Sequence, residues 1–311
     1  MEYKNVGRSG LQVSIVGVGC NNFGRRCDVE QTAAVVHKAL ELGVTLFDTA
    51  DIYGPRGVSE EYLGKALQGR RRDVVIATKF AGPMGEGPLW SGASRRYIFD
   101  AIDGSLRRLG TDYIDLYQIH FPDARTPIEE TLRALDDLAR AGKVRYYGCS
   151  NFAGWQVVEA QWITRVQRFA PLISAQNQYN LLDRRIEREL VPACASYGLG
   201  VLPYFPLANG FLTGKYHLGQ PAPEGTRLSS GMGERVLTEE NFAVLTKLQE
   251  FAQSRGHTML DLAIGWLASQ PHVASVIAGA TQPEQIEQNV KAAAWRLSPE
   301  ELAEVDLLTR R

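Results

Sequence analysis

Short apolar runs alternate with longer amphipathic stretches from one end of this chain to the other. The runs are SIVGVG (14–19), VTLFDT (44–49), DVVIATKF (73–80), YIDLYQIH (113–120), VRYYGCSN (144–151), LISAQNQ (172–178), GVLPYF (200–205) and ASVIAGA (274–280). Most are unbroken rather than alternating, the pattern of parallel strands covered on both faces. Between them apolar residues recur at helical spacing, as in EQTAAVVHKALELG and IEETLRALDDLARAGK. Helix starts are punctuated. Thr126-Pro127-Ile128-Glu129 places a cap, a proline at the first helical position and a capping-box acid in order; Ser298-Pro299-Glu300-Glu301 repeats the signature, and Asp28 with Gln31 makes a shorter one. Gly43 and Gly142 fall where helix C-terminal caps belong. Eight strand-then-helix units predict an α/β fold of the (β/α)8 TIM-barrel type, in which each crossover covers the sheet with its helix and closure leaves no edge. Residues 2–13, EYKNVGRSGLQV, predict an N-terminal hairpin turning at Ser9-Gly10 and plugging the barrel floor, and the last helix is extra to the barrel.

Length alone suggests two domains, but α/β barrels fill 311 residues as one, and no change of composition marks a boundary, so a single domain over 1–311 is expected. One connection stands apart: from Ala208 to about Thr238 the chain is rich in Gly, Pro and Ser. A loop this long on the face where a barrel keeps its site is expected to be functional.

Composition narrows the function classes. With 44% hydrophobic residues, 22% charged and a net charge of -1, there is no electrostatic case for nucleic acid or a membrane surface. No apolar stretch approaches the roughly 20 residues of a membrane span, and MEYKNVGRSG lacks a signal peptide's apolar region. Cys20, Cys27, Cys149 and Cys194 are scattered and do not make a zinc site; a reduced cytoplasmic protein with no metal and no structural disulfide is expected.

Candidate chemistry gathers at the C-terminal ends of the predicted strands. Asp48 ends the second, with Tyr53 in the loop beyond it. Lys79 stands at the lip of the third and His120 at the lip of the fourth. Each alone reads more simply as a cap, a packed ring or a buried polar group with a backbone partner. Together on one rim they form a proton device. A phenol is a poor acid near neutrality; an adjacent ammonium favours phenolate and lowers the pKa, a carboxylate anchors the ammonium, and an imidazole orients a carbonyl oxygen. The run GVGCNNFG, by contrast, only begins like a Rossmann phosphate loop: Asn22 occupies the third glycine's place, and the next helix starts too far on, near Asp28.

With FDTADIYG, ATKF, IHFPD, GCSNF, AQNQYNLL and PLANGFLTGKY in this order, the sequence resembles the aldo-keto reductase family, most of all bacterial members grouped with potassium-channel β subunits. The resemblance spans essentially the whole chain. It implies a carbonyl–alcohol oxidoreductase using NADP(H), with NAD(H) as the alternative and a small carbonyl compound as substrate. Tyr53 would be the general acid of reduction and the base of oxidation, Lys79 would lower its pKa, Asp48 would anchor Lys79, and His120 would orient the carbonyl. Ser150, Asn151 and Gln176 would hold the nicotinamide carboxamide, Tyr204 would stack on the ring, and Phe205, Pro206 and Leu207 would line the pyrophosphate. Lys215 and Arg227 would clamp the 2′-phosphate; Gly279, Gln285, Gln288 and Asn289 would form the adenosine end, where glutamines replace the family's common basic residue at 285 and acid at 288. Cys20, Asn21 and Asp48 would border the cofactor, while Arg25-Arg26 faces either the pyrophosphate or solvent. Phe23, Phe80, Trp90 and Phe121 would make an apolar pocket, left open because the chain stops soon after its last helix. Two rival readings are a slow-turnover nucleotide-sensing module like the channel subunits, against which His120 counts because those subunits carry another residue there, and an NAD-linked sugar dehydrogenase on the same barrel. Oligomeric state is not legible at this level.

Overall fold

The computed structural model describes residues 1–229 and 233–310; residues 230–232, within the long loop, lie outside them. Strands β1 (Tyr3–Asn5) and β2 (Gln12–Ser14) pair antiparallel as the expected hairpin. Eight further strands follow: β3 (Val16–Gly19), β4 (Leu46–Asp48), β5 (Val75–Phe80), β6 (Ile114–Ile119), β7 (Val144–Ser150), β8 (Ser174–Gln178), β9 (Gly200–Tyr204) and β10 (Val276–Gly279). They form one parallel sheet in the order β10-β3-β4-β5-β6-β7-β8-β9. Its ends meet at a bridge between Val201 and Val273, where Val201 N donates to His272 O at 2.8 Å and Ala274 N to Val201 O at 3.0 Å. The result is the expected (β/α)8 barrel, and each of the eight predicted runs holds one of its strands.

Because side chains alternate along a strand, each strand sends one set of residues into the barrel and the other against the surrounding helices. Leu46, Ala77, Leu116, Ile173, Leu202, Ala274 and Ile277 pack inside with Val6 and Val13 of the hairpin region, so the hairpin plugs the floor. The alternate set, including Phe47, Ile76, Phe80, Tyr117, Ile119 and Cys149, packs outward beneath the helices. Two residues beyond the inner apolar layer the same inward faces carry Asp48, Lys79, Gln118 and, across the register Ser150↔Gln176, two more polar groups. The barrel is therefore apolar at its floor and polar at its top by strand alternation alone.

Helix ends follow their local chemistry. Asp28 and Gln31 form a reciprocal capping box for the helix Val29–Glu41, and Ser298 with Glu301 does so for Pro299–Thr309. Gly43 and Gly142 sit at φ 77 and 75, the left-handed conformation of a C-terminal cap. At Thr126-Pro127 the arrangement differs from expectation. The helix Ile128–Arg140 starts one residue later, with extended Pro127 in the cap position. Thr126 Oγ1 is taken up by Asp123 Oδ2 at 2.9 Å, so it does not cap. The described residues of the long loop are not featureless. Two short 3-10 segments joined at a kink span Ala208–Thr213, a single 3-10 turn spans Arg227–Ser229, and Phe211, Leu212, Tyr216 and Leu228 bury themselves among residues of the helices Glu239–Gln253 and Met259–Ser269. Among the described residues no helix is long and apolar enough to cross a membrane.

Truncating the inner apolar layer should be felt globally. Leu202→Ala is expected to lower the unfolding free energy by about 2–5 kcal/mol in urea titrations; a loss below about 1 kcal/mol would show that the floor is loosely packed.

Candidate active site

The polar top of the barrel is organised around Lys79, which is fully buried. Its ammonium donates to Asp48 Oδ2 at 2.7 Å, to Thr49 O at 2.8 Å and, at 3.4 Å, to Tyr53 Oη. Asp48 Oδ1 accepts from Gln176 Nε2 at 2.8 Å and Gln118 Nε2 at 3.3 Å, so both carboxylate oxygens are satisfied. His120 continues the strand pairing, its N–H on Phe80 O at 2.9 Å, and its ring meets Tyr53 edge-on with centroids 5.6 Å apart. Its other face stacks on Phe121 at 4.2 Å. Asp48, Tyr53, Lys79 and His120 thus come together on one rim.

Burial and charge set the protonation of these groups. Burial works to lower the pKa of Lys79, but Asp48 and Tyr53 outweigh it and hold the ammonium above its ordinary value. Burial raises the pKa of Tyr53, and Lys79 pulls the other way without prevailing. Lys79 thus acts on the phenol in the expected direction, lowering its pKa, while burial keeps the net value above the ordinary one. Tyr53 is buried, and the Asp48 carboxylate works against the ammonium. His120 is pushed down to about 2, first by burial and then by Lys79, so its ring is neutral, and its buried Nδ1 has no hydrogen-bond partner.

Three strand exits beside this cluster are turned by non-glycine residues in the left-handed region: Ala81 after β5 (φ 90), Asn151 after β7 (φ 61) and Phe205 after β9 (φ 53). Such conformations cost on the order of 1 kcal/mol each and persist where the surroundings impose them. For Asn151 the surroundings are visible. Its amide donates to His120 O at 3.0 Å and Ser150 Oγ at 3.1 Å, and its Oδ1 accepts from Tyr204 Oη at 2.7 Å. Ser150 Oγ in turn donates to Gln176 O at 2.9 Å.

A cleft of about 730 Å³ runs from this cluster along the top of the barrel. Asp48, Tyr53, His120, Asn21, Ser150, Asn151, Gln176, Tyr204, Phe205, Pro206, Leu207, Lys215, Arg227, Gly279, Gln285, Gln288 and Asn289 all line it. Lys79 lies in the wall beneath. Cys20 is buried, its thiol turned back to Val18 O, and does not reach the cleft. Of the aromatics expected around a substrate, Phe121 lines the cleft. Phe23 and Phe80 are buried in the layer between barrel and helices, the latter because strand alternation points it away from Lys79's face, and Trp90 is exposed outside the lining. Arg26 borders the cleft. Gln118 was missed at the sequence level, though its place two residues before His120 on one strand puts both on one face. Asn22 was missed too: its Oδ1 accepts from Arg227 Nη2 at 2.9 Å, as Asn21 Oδ1 does at 3.0 Å, across the cleft from the long loop.

The aldo/keto reductase family model matches residues 15–310. This chain belongs to that family. The aldo/keto reductase is 40% identical over 302 residues to a probable voltage-gated potassium channel subunit beta of Oryza sativa subsp. japonica, covering 94% of this chain and 91% of the relative. It is 37% identical over 319 residues to L-glyceraldehyde 3-phosphate reductase of Escherichia coli (strain K12), covering 98% and 92%, and 35% identical over 329 residues to versiconal hemiacetal acetate reductase of Aspergillus parasiticus, covering 97% and 95%. It is an oxidoreductase, and its family works with NAD(P)H. The cleft fits such a dinucleotide. It has the volume of a cofactor site, and amides, hydroxyls and an aromatic ring cluster at one end. Its mouth carries the cations Arg26, Lys215 and Arg227, and at Gly279 an added Cβ would stand 3.3 Å from Asn22 Nδ2 and narrow the floor.

The neutral state of His120 has a measurable consequence. Its folded pKa lies below its ordinary value of 6.5, so the unfolded chain binds the extra proton between those values. The associated stability is fully present above about pH 6.5 and is lost as pH falls. From about pH 7 to about pH 5, the parent chain is expected to lose roughly 2 kcal/mol more than His120→Asn in urea unfolding. Parallel losses in the two proteins would mean that His120 titrates normally.

Proposed function

We propose that this protein interconverts small carbonyl compounds and alcohols with NADP(H), using Tyr53 as the proton donor of reduction and the proton acceptor of oxidation. The observation that carries this reading is the Asp48–Lys79–Tyr53 chain of hydrogen bonds at the wall of the cleft. Tyr53 is a protonated phenol at neutral pH, the state a donor needs, and the phenolate left after donation would face the ammonium at 3.4 Å. Lys79 is held charged by Asp48 and needs no rearrangement to meet that new charge. The neutral His120 ring, edge-on to Tyr53, can donate one hydrogen bond to a carbonyl oxygen and fix which lone pair meets the phenol.

When bound, the dinucleotide supplies or accepts the hydride. Gln176 keeps its Oε1 as an acceptor for a carboxamide because its Nε2 is bound to Asp48, and Ser150 and Asn151 add a hydroxyl and an amide beside it. Tyr204, fixed through its hydroxyl to Asn151, offers a rigid ring face. At the far end Lys215 and Arg227 favour the extra phosphate of NADP(H), while Gln285 and Gln288 add no charge.

Tyr53→Phe is expected to lower kcat by about 10²–10⁴-fold, with dinucleotide affinity, followed by fluorescence titration, within about threefold. Brisk turnover in that variant removes Tyr53 from the chemistry. Lys215→Ala combined with Arg227→Ala should raise KM for NADPH at least about tenfold more than KM for NADH, as expected for losing charge-assisted bonds to one phosphate; equal rises would dismiss the clamp.

A further inference from the structure

The stretch FDTADIYG holds a second acid that the proton machinery leaves unused. Asp51 is fully buried on the turn leading to Tyr53. Its N–H donates to Lys79 O at 3.1 Å, and Tyr53 N donates to Ala50 O at 3.1 Å, so the turn is stitched to itself and to β5. The nearby cation is already engaged: Arg108 Nε donates to Glu60 Oε2 at 2.7 Å, while Glu60 Oε1 accepts from Thr78 Oγ1 at 2.5 Å. Asp51 Oδ1 has no hydrogen-bond partner, and Asp51 Oδ2 lies 3.5 Å from Tyr97 Oη.

The phenol of Tyr97 decides the protonation. It has one hydroxyl proton, and its shorter contact, 3.0 Å to Gly82 O, requires that proton. Tyr97 therefore turns a lone pair toward Asp51, and the contact between them is attractive when Asp51 carries a proton and donates it. An ionised carboxyl there would be a buried charge facing a phenolic lone pair, which folding strongly disfavours. Burial and the neighbouring Glu60 push the Asp51 pKa well above the carboxylate range, and Arg108, the Ile52 N–H and the Tyr97 hydroxyl oppose them without prevailing. Asp51, Tyr97 and Gly82 then form one directed chain. It joins the Tyr53 turn, the first turn of the helix Arg95–Leu109 and the loop after β5. Ile52 packs so tightly on that loop that a Cβ at Gly82 would stand 2.5 Å from Ile52 Cγ2.

We propose that Asp51 is a positioning residue for Tyr53: by donating to Tyr97 it ties the Tyr53 turn to the segment that carries Lys79 and so sets the distance between phenol and ammonium. The proposal rests on the role given to Tyr53 above. Its test measures kcat, dinucleotide Kd and the pH dependence of kcat. Asp51→Asn keeps a neutral donor and is expected to retain kcat within about threefold with an unmoved pH profile. Asp51→Ala and Tyr97→Phe each break the chain; each should lower kcat about 10- to 100-fold and shift the basic limb of the profile, with Kd within about threefold. The double variant should lose little beyond the worse single one, since both changes break one chain. A deficit in Asp51→Asn as deep as in Asp51→Ala overturns the proposal, as does undiminished kcat in both chain-breaking variants. If Asp51→Ala does not fold, Tyr97→Phe against Asp51→Asn decides. Tyr53→Phe, run in parallel, separates the two ideas: an active Tyr53→Phe removes the role of Tyr53, whereas an inert one beside fully active Asp51→Ala and Tyr97→Phe removes only the positioning by Asp51.

Discussion

A buried ammonium beside a buried carboxylate is the constraint around which the top of this barrel is built. Removing both charges from water is costly, and attraction alone does not reliably repay it. Here the remaining valences are met almost completely: Lys79 by Thr49 O and Tyr53, Asp48 by Gln118 and Gln176. Those partners come from β4, β5, β6 and β8 and the turn after β4, so half the barrel's strands must be in register before the pair is satisfied. A closed parallel sheet supplies that register, because closure fixes each strand against both neighbours.

The same closure explains how a hydrophobic core and a polar site occupy one interior. Alternation along β4, β5 and β6 sends Leu46, Ala77 and Leu116 inward near the floor and Asp48, Lys79 and Gln118 inward a layer higher. The outward set anchors the helices. The strained turns at Ala81, Asn151 and Phe205 sit where strands leave this rigid frame, and the packed layers below stabilise them. The polar rim and the apolar core draw on one framework in which the floor holds the rim in place.

At the other side of the site, the loop after β9 crosses from its apolar anchors to the turn after β3. Leu228 is buried, and Arg227 beside it reaches Asn21 and Asn22. A burial-driven contact and a charge-bearing one alternate in adjacent residues, so the loop is held down while presenting a cation to the cleft. Burial, and then the positive charge of Arg26, lower the pKa of Arg227.

Much of this was legible in the chain. Unbroken apolar runs declared buried parallel strands, and the strand-end placement of Asp48, Lys79 and His120 followed from the rule that barrel chemistry sits at strand C-termini. Capping boxes at Asp28 and Ser298 were local events that local sequence decides. Thr126 was not, because its hydroxyl had a better partner in Asp123. Phe80 and Cys20 point away from the cleft because alternation and the turn after β3 orient them, which a residue list cannot show. The pKa of Tyr53 depends on how burial weighs against Lys79 once Asp48 has spent part of that charge, and the neutrality of Asp51 depends on which acceptor takes the single proton of Tyr97. Sequence by itself determined which elements form and on which rim the ionisable groups gather, since periodicity and capping act over a few residues. Only the tertiary structure decided what charge those groups carry and which of them face the cleft, since solvation and hydrogen-bond competition are settled by neighbours brought from distant parts of the chain.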